Sequence, residues 1–261
     1  MPELPDVEHL KTYFDSTSLH QTVTRISVCD NRVLEDISEK DLNTGLDGAQ
    51  FESSRRYGKY LFALTGSGPV LVLHFGMTGF LAYYEERNDD DSHDRMVIDF
   101  EKGHHLAYVN QRLLGTVSLT EDIGSYIKKK DLGPDADDID RDVFIKKIEE
   151  SNAMAKSAIM DQNLIAGIGN VYADEILFQA NVHPKTTASD LSGKEMKKLY
   201  SRMKHVLRVA TRNQGDHERF PDTWIIPRRS EGAECPSCGG NVEKIKVSGR
   251  TGYFCSACQR R

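Results

Sequence analysis

Four cysteines near the end of the chain have the spacing of a metal site. They form two C-x2-C pairs with sixteen residues between the pairs, and they are Cys235, Cys238, Cys255 and Cys258. Two such pairs can direct four thiolates at one point, which is the tetrahedral ligand set of structural Zn²⁺. We predict one structural zinc ion per chain, held in a ribbon with strands Val242–Val247 and Thr251–Phe254 and a turn at Ser248–Gly249.

The N-terminal residues could do a second kind of chemistry. Proline after an initiator methionine usually permits removal of that methionine, which leaves Pro2 with a free secondary amine. An α-amino group has a pKa near ~8, so part of it is neutral at pH 7. A neutral secondary amine can attack a sugar C1′ and form an iminium ion, and a nearby acid such as Glu3, Asp6 or Glu8 can protonate the sugar oxygen. Alone, the same residues are also typical of a frayed terminus.

Composition places these residues in a water-soluble protein of two domains. The chain has 261 residues, of which 28% are charged and 38% hydrophobic, and no apolar run approaches the ~18 residues of a membrane span. The N-terminus lacks the basic and apolar regions of a signal peptide. Paired cysteines favour a metal site in a reducing compartment over disulfides, and we expect the fifth, Cys29, to be a small apolar filler. We therefore expect a cytoplasmic protein, nucleoid-associated if it is prokaryotic.

Charge is distributed unevenly between the two halves. Residues 1–140 carry 14 basic and 26 acidic side chains, a net −12, whereas residues 141–261 carry 20 basic and 14 acidic ones, a net +6. A basic half within an acidic protein indicates a polyanionic partner for that half. Chance segregation of solvated surface charge remains open on this observation alone.

The first half of the chain predicts a β-sandwich or barrel. Short runs rich in Val, Ile, Leu, Phe and Tyr alternate with turn residues. These runs are Thr22–Val28, Lys59–Thr65, Val70–Phe75, Met96–Phe100, His105–Val109 and Gly115–Leu119. One helix precedes them, and the acidic run Asp89–Asp94 between two of them is predicted to be a solvated loop.

The second half predicts helices. A linker over 132–140 ends in a candidate helix cap, Asp140, and Val171–Ala180 is a good helix. The longest periodic segment, Asp190–Arg212, has an apolar stripe that we expect to face the core. The stripe consists of Leu199, Met203, Val206, Leu207 and Ala210. The turn Gly167-Ile-Gly169 before the first of these helices lacks the third glycine of a dinucleotide site, so we expect it to present N–H groups to phosphate.

Six motifs occur in a fixed order, and together they span the chain. They are Pro2–Glu8, Arg55–Tyr60, His74–Gly79, Lys156 followed by Met160–Gln162, Gly167–Glu175 and the four-cysteine ribbon. This combination resembles the formamidopyrimidine-DNA glycosylase/endonuclease VIII family of base-excision repair. The resemblance implies a monomeric protein that binds damaged double-stranded DNA in a cleft between domains.

The fold implied by the resemblance is an α+β multidomain one. It comprises an N-terminal β-sandwich catalytic domain over residues 1–133, a linker over 134–142, a helix-two-turn-helix domain over 143–228 and the zinc ribbon over 229–261. No membrane association is implied.

The resemblance also implies roles for matching residues. Pro2 would be the Schiff-base nucleophile and Glu3 the acid that protonates the sugar, with Asp6 and Lys59 in the same catalytic group. Phosphates around the extruded nucleotide would be bound by Lys59, Lys156, Asn170 and Arg250. The remaining DNA contacts would come from a residue at the damaged-base pocket and from residues that fill the gap left by the extruded base, and these are Glu175, Met77, Arg112 and Leu114.

Three departures from the family pattern concern the substrate. Asp6 stands where the family usually has glutamate, and its carboxylate reaches about one methylene less far. Segment 110–114 lacks the aromatic residue that the family places beside the orphan base. Segment 214–229 is short and lacks the extended glycine-bearing loop that covers 8-oxoguanine in guanine-type members. We therefore expect oxidised pyrimidines, ring-opened purines or abasic sites as preferred substrates.

The leading hypothesis is a bifunctional DNA glycosylase/AP lyase that excises oxidised bases and cleaves the strand by β,δ-elimination. The alternative is a catalytically inactive paralogue of the same fold that binds lesions or abasic sites. A zinc-ribbon adaptor protein would account only for the last part of the chain.

Overall fold

The computed structural model describes residues 1–86 and 93–260 and divides the chain into two compact units. Unit 1 consists of Met1–Pro2 and Asp6–Lys130, and unit 2 of Glu3–Pro5 and Asp131–Arg261. Residues 89–92 of the predicted acidic loop lie outside the described residues. Within the described ranges, every helix is too short or too polar to cross a membrane.

In its described residues, unit 1 contains two four-stranded antiparallel sheets and three α-helices. The strands are β1 (Val23–Val28), β2 (Phe51–Tyr57), β3 (Tyr60–Thr65), β4 (Val70–His74), β5 (Phe80–Tyr84), β6 (Asp94–Phe100), β7 (His105–Val109) and β8 (Thr116–Thr120). The helices are α1 (Leu4–Ser18), whose first two residues belong to unit 2, α2 (Glu39–Leu46) and α3 (Ile123–Lys129). One sheet has the order β2-β3-β4-β8 and the other β1-β6-β7-β5.

The two sheets of unit 1 share one hydrophobic core, which confirms the predicted sandwich. Leu71 and Leu73 of the first sheet and Ile98 and Leu106 of the second belong to the same buried cluster. Alternate residues of β4 point the other way, and there Val72 packs with Tyr126 of α3. This explains why β4 reads as a continuous apolar run, since both of its faces are covered.

Unit 2 is mainly helical and ends in a hairpin. Its helices are α4 (Arg141–Glu149), α5 (Ala155–Met160), α6 (Asn170–Ala180) and α7 (Gly193–Arg212), and its strands are β9 (Val242–Val247) and β10 (Arg250–Cys255). A capping box of Ser192 and Glu195 starts α7, and the predicted apolar stripe of this helix is fully buried. Helix α6 is buried on nearly all sides, because α5, α7 and β10 pack around it.

The structure corrects some of the sequence predictions. All six predicted strands are present, but β2 and β5 were missed, as were α2 and α3. Strand β2 has the sequence FESSRRY, in which only Phe51 is buried, so its apolar signal is weak. Cys29 is exposed instead of filling the core. It directly follows β1, and its N–H donates to the carbonyl of Arg95 in β6 at 2.9 Å.

Candidate active site and nucleic-acid interface

Glu3 is bound to the N-terminus of α6. Its side chain is 1% exposed, and its Oε2 and Oε1 atoms accept hydrogen bonds from the backbone N–H groups of Gly169 at 2.7 Å and Val171 at 2.8 Å. A third N–H, that of Tyr172, lies 3.3 Å from Oε2. The first N–H groups of a helix have no partners within the helix, and the helix dipole favours a negative charge there. Glu3 therefore supplies the hydrogen-bond acceptors for the backbone N–H groups at the start of α6, although the two are far apart in the sequence.

The turn Gly167-Ile-Gly169 is in direct contact with the N-terminal residues Glu3 and Leu4. Any Cβ at position 169 would overlap the carboxyl group of Glu3, and Gly167 adopts a φ of +114° with its Cα facing Leu4. The N–H of Leu4 donates to the carbonyl of Gly167 at 3.0 Å. The expectation that this turn presents its N–H groups to phosphate is thus wrong for positions 169, 171 and 172, because their acceptor is Glu3.

The other residues of the predicted catalytic group lie in unit 1. Pro2 and Asp6 are half-buried at the start of the chain and in the first turn of α1, respectively. Lys59 is 9% exposed and follows Gly58 in the two-residue turn between β2 and β3. An ion pair of 2.8 Å between Glu8 Oε2 and Arg56 Nε ties α1 to β2. Together with the packing of Phe14 on Phe51, this ion pair holds the N-terminal helix to the hairpin that carries Lys59.

The positive charge of Lys59 also lowers the pKa of a neighbouring histidine. His74, at the end of β4, has its pKa lowered to about 4, first by burial and then by the positive charge of Lys59. The imidazole is therefore neutral at physiological pH, and its ring packs 4.8 Å from that of Tyr60.

Lys156 lies in a buried ion cluster. Its Nζ is 2.7 Å from Oδ1 of Asp174, and the two side chains are 1% and 0% exposed. The other oxygen of Asp174 accepts hydrogen bonds from Arg229 Nη2 at 2.8 Å and from the N–H of Tyr253 at 3.1 Å. Burial lowers the pKa of Lys156, and Asp174 opposes that shift. The cluster carries two cations against one anion.

The sequence did not predict that Asp174 pairs with Lys156 and Arg229. The signal for such a cluster was an acidic pair, Asp174 and Glu175, inside a helix whose neighbouring residues are mostly apolar and buried. Buried charges are normally paired, so an aspartate in such a helix predicts a cationic partner without saying which one.

Helix α6 and the β9–β10 hairpin bring three predicted phosphate ligands close together. The side-chain amide of Asn170 donates to the carbonyl of Thr251 at 2.9 Å. A Cβ at Gly252 would overlap the ammonium of Lys156, so glycine lets the hairpin backbone come close to this side chain. Arg250 precedes these residues as the exposed first residue of β10. Within the described part of the chain, Oδ1 of Asn170 is buried without a hydrogen-bond partner, which leaves an acceptor for a ligand or water.

The carboxylate of Glu175 is buried and bonded to groups of its own chain. Its side chain is 0% exposed, and its two oxygens accept hydrogen bonds from Gln179 Nε2 at 2.8 Å and from the N–H of Ile226 at 3.0 Å. Burial raises the pKa of Glu175 to about 7. The donor Ile226 belongs to a segment in which Trp224 and Ile225 are also buried, so this short connection is packed against α6.

Two loops of unit 1 carry the residues predicted to fill the gap in DNA. We call residues 75–79 and 110–115 the paired loops. Met77 and Leu114 are 39% and 51% exposed, and Arg112 is exposed as well. The structure therefore leaves all three predicted gap-filling side chains accessible.

Backbone contacts hold the paired loops to each other. Gly76 has a φ of +59°, and a Cβ there would overlap the backbone of Leu114. Asn110, which is 0% exposed, donates from Nδ2 to the carbonyl of Phe75 at 3.2 Å. The N–H of Arg112 donates to Oγ1 of Thr78 at 3.2 Å. The loops therefore form one structural element.

The four predicted zinc ligands converge. One ligand atom from each of the four cysteines lies within 4.8 Å of the others. Two of the Sγ–Sγ distances are 3.8 Å, between Cys235 and Cys258, and 3.6 Å, between Cys238 and Cys255. A tetrahedron with Zn–S bonds of about 2.3 Å has edges of about 3.8 Å, so the arrangement fits a zinc ion.

Three family models match the chain in order. They are the formamidopyrimidine-DNA glycosylase N-terminal domain over residues 1–117, the formamidopyrimidine-DNA glycosylase H2TH domain over 132–221, and a zinc finger found in FPG and IleRS over 232–261. Among curated proteins, formamidopyrimidine-DNA glycosylase of Streptococcus pneumoniae is 32% identical over 277 residues and that of Desulforamulus reducens 30% over 275 residues. The first match covers 100% of both chains, and the second covers 100% of this chain and 99% of the relative.

The chain is also similar to solved structures of an Fpg protein in complex with DNA. The Lactococcus lactis Fpg in complex with DNA containing an abasic site is 27% identical with a TM-score of 0.89, and the match covers 99% of this chain and 100% of that one. The same protein in complex with FAPY-dG-containing DNA is 27% identical with a TM-score of 0.91, at the same coverage.

Proposed function

Because the chain belongs to the formamidopyrimidine-DNA glycosylase family, we propose that it excises oxidised bases from duplex DNA and then cleaves the strand as an AP lyase. The observation that carries this proposal is the anchoring of the N-terminus. Glu3 is held by three backbone N–H groups of α6, so the position of Pro2, the preceding residue, is restricted. A nucleophile in a fixed position converts an encounter into an intramolecular reaction.

Base excision begins at the amine of Pro2. After loss of the methionine, the lone pair of the neutral proline nitrogen attacks C1′, and the bond between C1′ and the base breaks with the electron pair leaving on the base, which takes up a proton. The sugar ring opens when O4′ accepts a proton from Glu3, and the nitrogen's remaining electrons form the C1′=N⁺ iminium bond. The proline proton is released to solvent.

Strand cleavage follows from the iminium. Removal of a C2′ proton sends an electron pair toward the iminium, and the C3′–O bond breaks with the 3′ phosphate as leaving group. A second proton loss, from C4′, expels the 5′ phosphate in the same way, and water then hydrolyses the iminium and frees Pro2. These two steps constitute the proposed β,δ-elimination.

DNA binding in this proposal uses both units. In unit 2, Lys156, Asn170 and Arg250 bind phosphates, supported by their common placement at the β9–β10 hairpin. In unit 1, Lys59 binds phosphate, Asp6 assists the sugar chemistry, and exposed Met77, Arg112 and Leu114 fill the gap in the duplex. Glu175 lies at the damaged-base pocket and acts through the backbone of segment 225–226, to which it is bonded.

Oxidised pyrimidines, formamidopyrimidines and abasic sites are the proposed substrate classes. Segment 214–229 is anchored by buried Phe220, Trp224 and Ile225, which leaves little free length for a loop that covers a large base. Two structural neighbours were solved with abasic-site and FAPY-dG DNA, which agrees with this choice. The zinc ion in this proposal holds the ribbon and takes no part in the chemistry.

Borohydride trapping tests the proposal. Sodium borohydride reduces the iminium to a stable amine, so an active protein becomes covalently linked to DNA that contains its substrate. We expect adducts with duplexes containing a formamidopyrimidine, an oxidised pyrimidine or an abasic site, and strong loss of adduct with Pro2→Gly and Glu3→Gln. An intact mass without the methionine must accompany the adduct. Absence of any adduct across this panel would rule the enzyme out.

The alternative function, an inactive paralogue that binds lesions, is favoured by one observation. Both oxygens of Glu3 already accept hydrogen bonds from α6, and these are the atoms that would carry the catalytic proton. Such a paralogue would prefer lesion-bearing over undamaged duplex in equilibrium binding, yet form no adduct and release no base. The same panel therefore separates the two functions.

A further inference from the structure

Three exposed apolar residues of unit 1 lie on or directly next to the paired loops. Among its described residues, the large hydrophobic side chains that are exposed are Met1, Met77, Phe80 and Leu114. Two of them lie on the paired loops, and Phe80 directly follows the first of these loops. Single exposed apolar residues are common on protein surfaces, but a group on adjoining segments indicates a contact surface.

Phe80 is fixed by strand pairing. It is the first residue of β5 and pairs with Val109 of β7, and the next residue, Leu81, belongs to the sandwich core. Because side chains alternate along a strand, Phe80 lies on the outer face, beside Val109. The hydrogen bond from the N–H of Gly79 to the carbonyl of Phe75, at 2.8 Å, closes the loop immediately before it. Phe80 is 48% exposed. Its backbone is held by the strand pairing and by this hydrogen bond.

The chemistry of this surface suits a nucleic-acid base. Phe80 is the one aromatic residue among the exposed large hydrophobic side chains of the described chain. Segment 110–114 on the second loop has no aromatic residue, but it carries exposed Arg112, which suits a phosphate or the edge of an orphan base. Extruding a nucleotide leaves the neighbouring bases with an uncovered face, and an aromatic ring stacks on such a face whatever the sequence.

We propose that Phe80 stacks on a base next to the extruded nucleotide and so supplies the aromatic contact that segment 110–114 does not provide. This inference rests on the proposed function and deepens it, because it makes Phe80 a determinant of the preference for damaged over undamaged duplex. The preference arises because undamaged, stacked DNA offers no free base face to the ring.

Equilibrium binding of four variants tests this role. The probes are a duplex with a tetrahydrofuran abasic analogue, which cannot form an iminium, and the same duplex undamaged, each read by fluorescence anisotropy. We expect Phe80→Ala to lower the ratio of the two affinities by about 5- to 150-fold, the range for loss of one base–aromatic stack. Phe80→Tyr keeps the ring and should keep the ratio, and Phe80→Leu keeps apolar cover without a ring and should resemble alanine. Val143→Ala, an exposed apolar residue of unit 2, is the matched control.

A second readout follows the base itself. With 2-aminopurine beside the abasic analogue, stacking on Phe80 should quench the fluorescence of the bound complex, and Phe80→Ala should restore it. The inference fails if Phe80→Ala keeps the affinity ratio within twofold, if Phe80→Leu keeps it fully, or if Phe80→Ala instead changes the sedimentation of the free protein. The proposed function fails separately, if the wild-type protein neither prefers the abasic analogue nor forms a borohydride adduct.

Discussion

The ammonium nitrogen of Lys156 lies 2.7 Å from Oδ1 of Asp174, and neither side chain is exposed to solvent. The other oxygen of the same carboxylate bonds to Arg229 and to the backbone N–H of Tyr253. One aspartate thus connects α5, the segment before the ribbon, and β10. A residue that is a candidate phosphate ligand is thereby linked, through Asp174, to the hairpin that follows the first cysteine pair.

Removing the carboxylate should destabilise unit 2. Asp174→Ala leaves the buried ammonium of Lys156 without its carboxylate partner, and breaking a buried ion pair in this way costs about 3–5 kcal/mol. We expect a correspondingly lower free energy of unfolding in urea, with a smaller loss for Asp174→Asn, which keeps the shape and an acceptor. Asp142→Ala is the control, because its side chain is 85% exposed and should matter by less than about 0.5 kcal/mol. Equal stability of Asp174→Ala and wild type would contradict this account of the cluster.

The contact between Glu3 and the start of α6 can be tested by a substitution at Gly169. Gly169→Ala introduces a methyl group where the Glu3 carboxyl lies, so we expect Glu3 and the adjacent Pro2 to shift. A displacement of about 1 Å can cost a reaction about 100-fold, so the rate of borohydride trapping should fall by at least tenfold. Gly193→Ala is a matched glycine substitution at a helix start with no atom within 4 Å, and trapping should be unchanged. An unaltered trapping rate in Gly169→Ala would show that the contact of Glu3 with the start of α6 does not contribute to catalysis.

Local patterns explain what could be predicted from the sequence. The apolar stripe of α7 and the strands and turn of the zinc ribbon follow from periodicity and cysteine spacing within short segments, and the structure confirms them. The family resemblance and the sandwich are confirmed as well. The ends of β10 differ from the prediction by one residue on each side, because strand ends depend on pairing with β9.

Long-range contacts could not be predicted. Glu3 and Gly169 are 166 residues apart, and Asp174 and Arg229 are 55 apart, so no spacing rule links them. Phosphate is the usual partner of a glycine turn at a helix start, and only the three-dimensional structure shows that a carboxylate of the same chain takes that place. The residue roles assigned by resemblance remain predictions.

The buried carboxyl of Glu175 should make stability depend on pH. Its pKa is raised from an ordinary 4.5 to about 7, so between these values the folded state holds a proton that the unfolded state has released. Stability from this group is therefore greatest below pH 4.5, decreases as the pH rises, and is lower by up to about 3 kcal/mol above pH 7. Glu175→Gln cannot ionise, and we expect it to gain stability relative to wild type at pH 8 but not at pH 5.

Thermal unfolding at both pH values measures this difference. The quantity of interest is the shift in Tm between Glu175→Gln and wild type at pH 8 minus the same shift at pH 5, since other titrating groups cancel in it. Glu149→Gln, at an exposed position of α4, is the control and should give a value near zero. A value near zero for Glu175→Gln too would mean that the buried carboxyl is not protonated in the folded state.

Zinc should be required for the β9–β10 hairpin. An isolated two-stranded hairpin is marginally stable, and the small apolar cluster around it contains two of the proposed ligands, Cys235 and Cys255. We expect one zinc ion per chain by elemental analysis, and rapid deuterium exchange of the β10 amides after chelation or in Cys258→Ser. Cys29→Ser removes the exposed cysteine of unit 1 and should keep both the zinc and the slow exchange. If the amides of β10 stay protected without metal, contacts such as the hydrogen bond from the N–H of Tyr253 to Asp174, and not zinc, hold the hairpin in place.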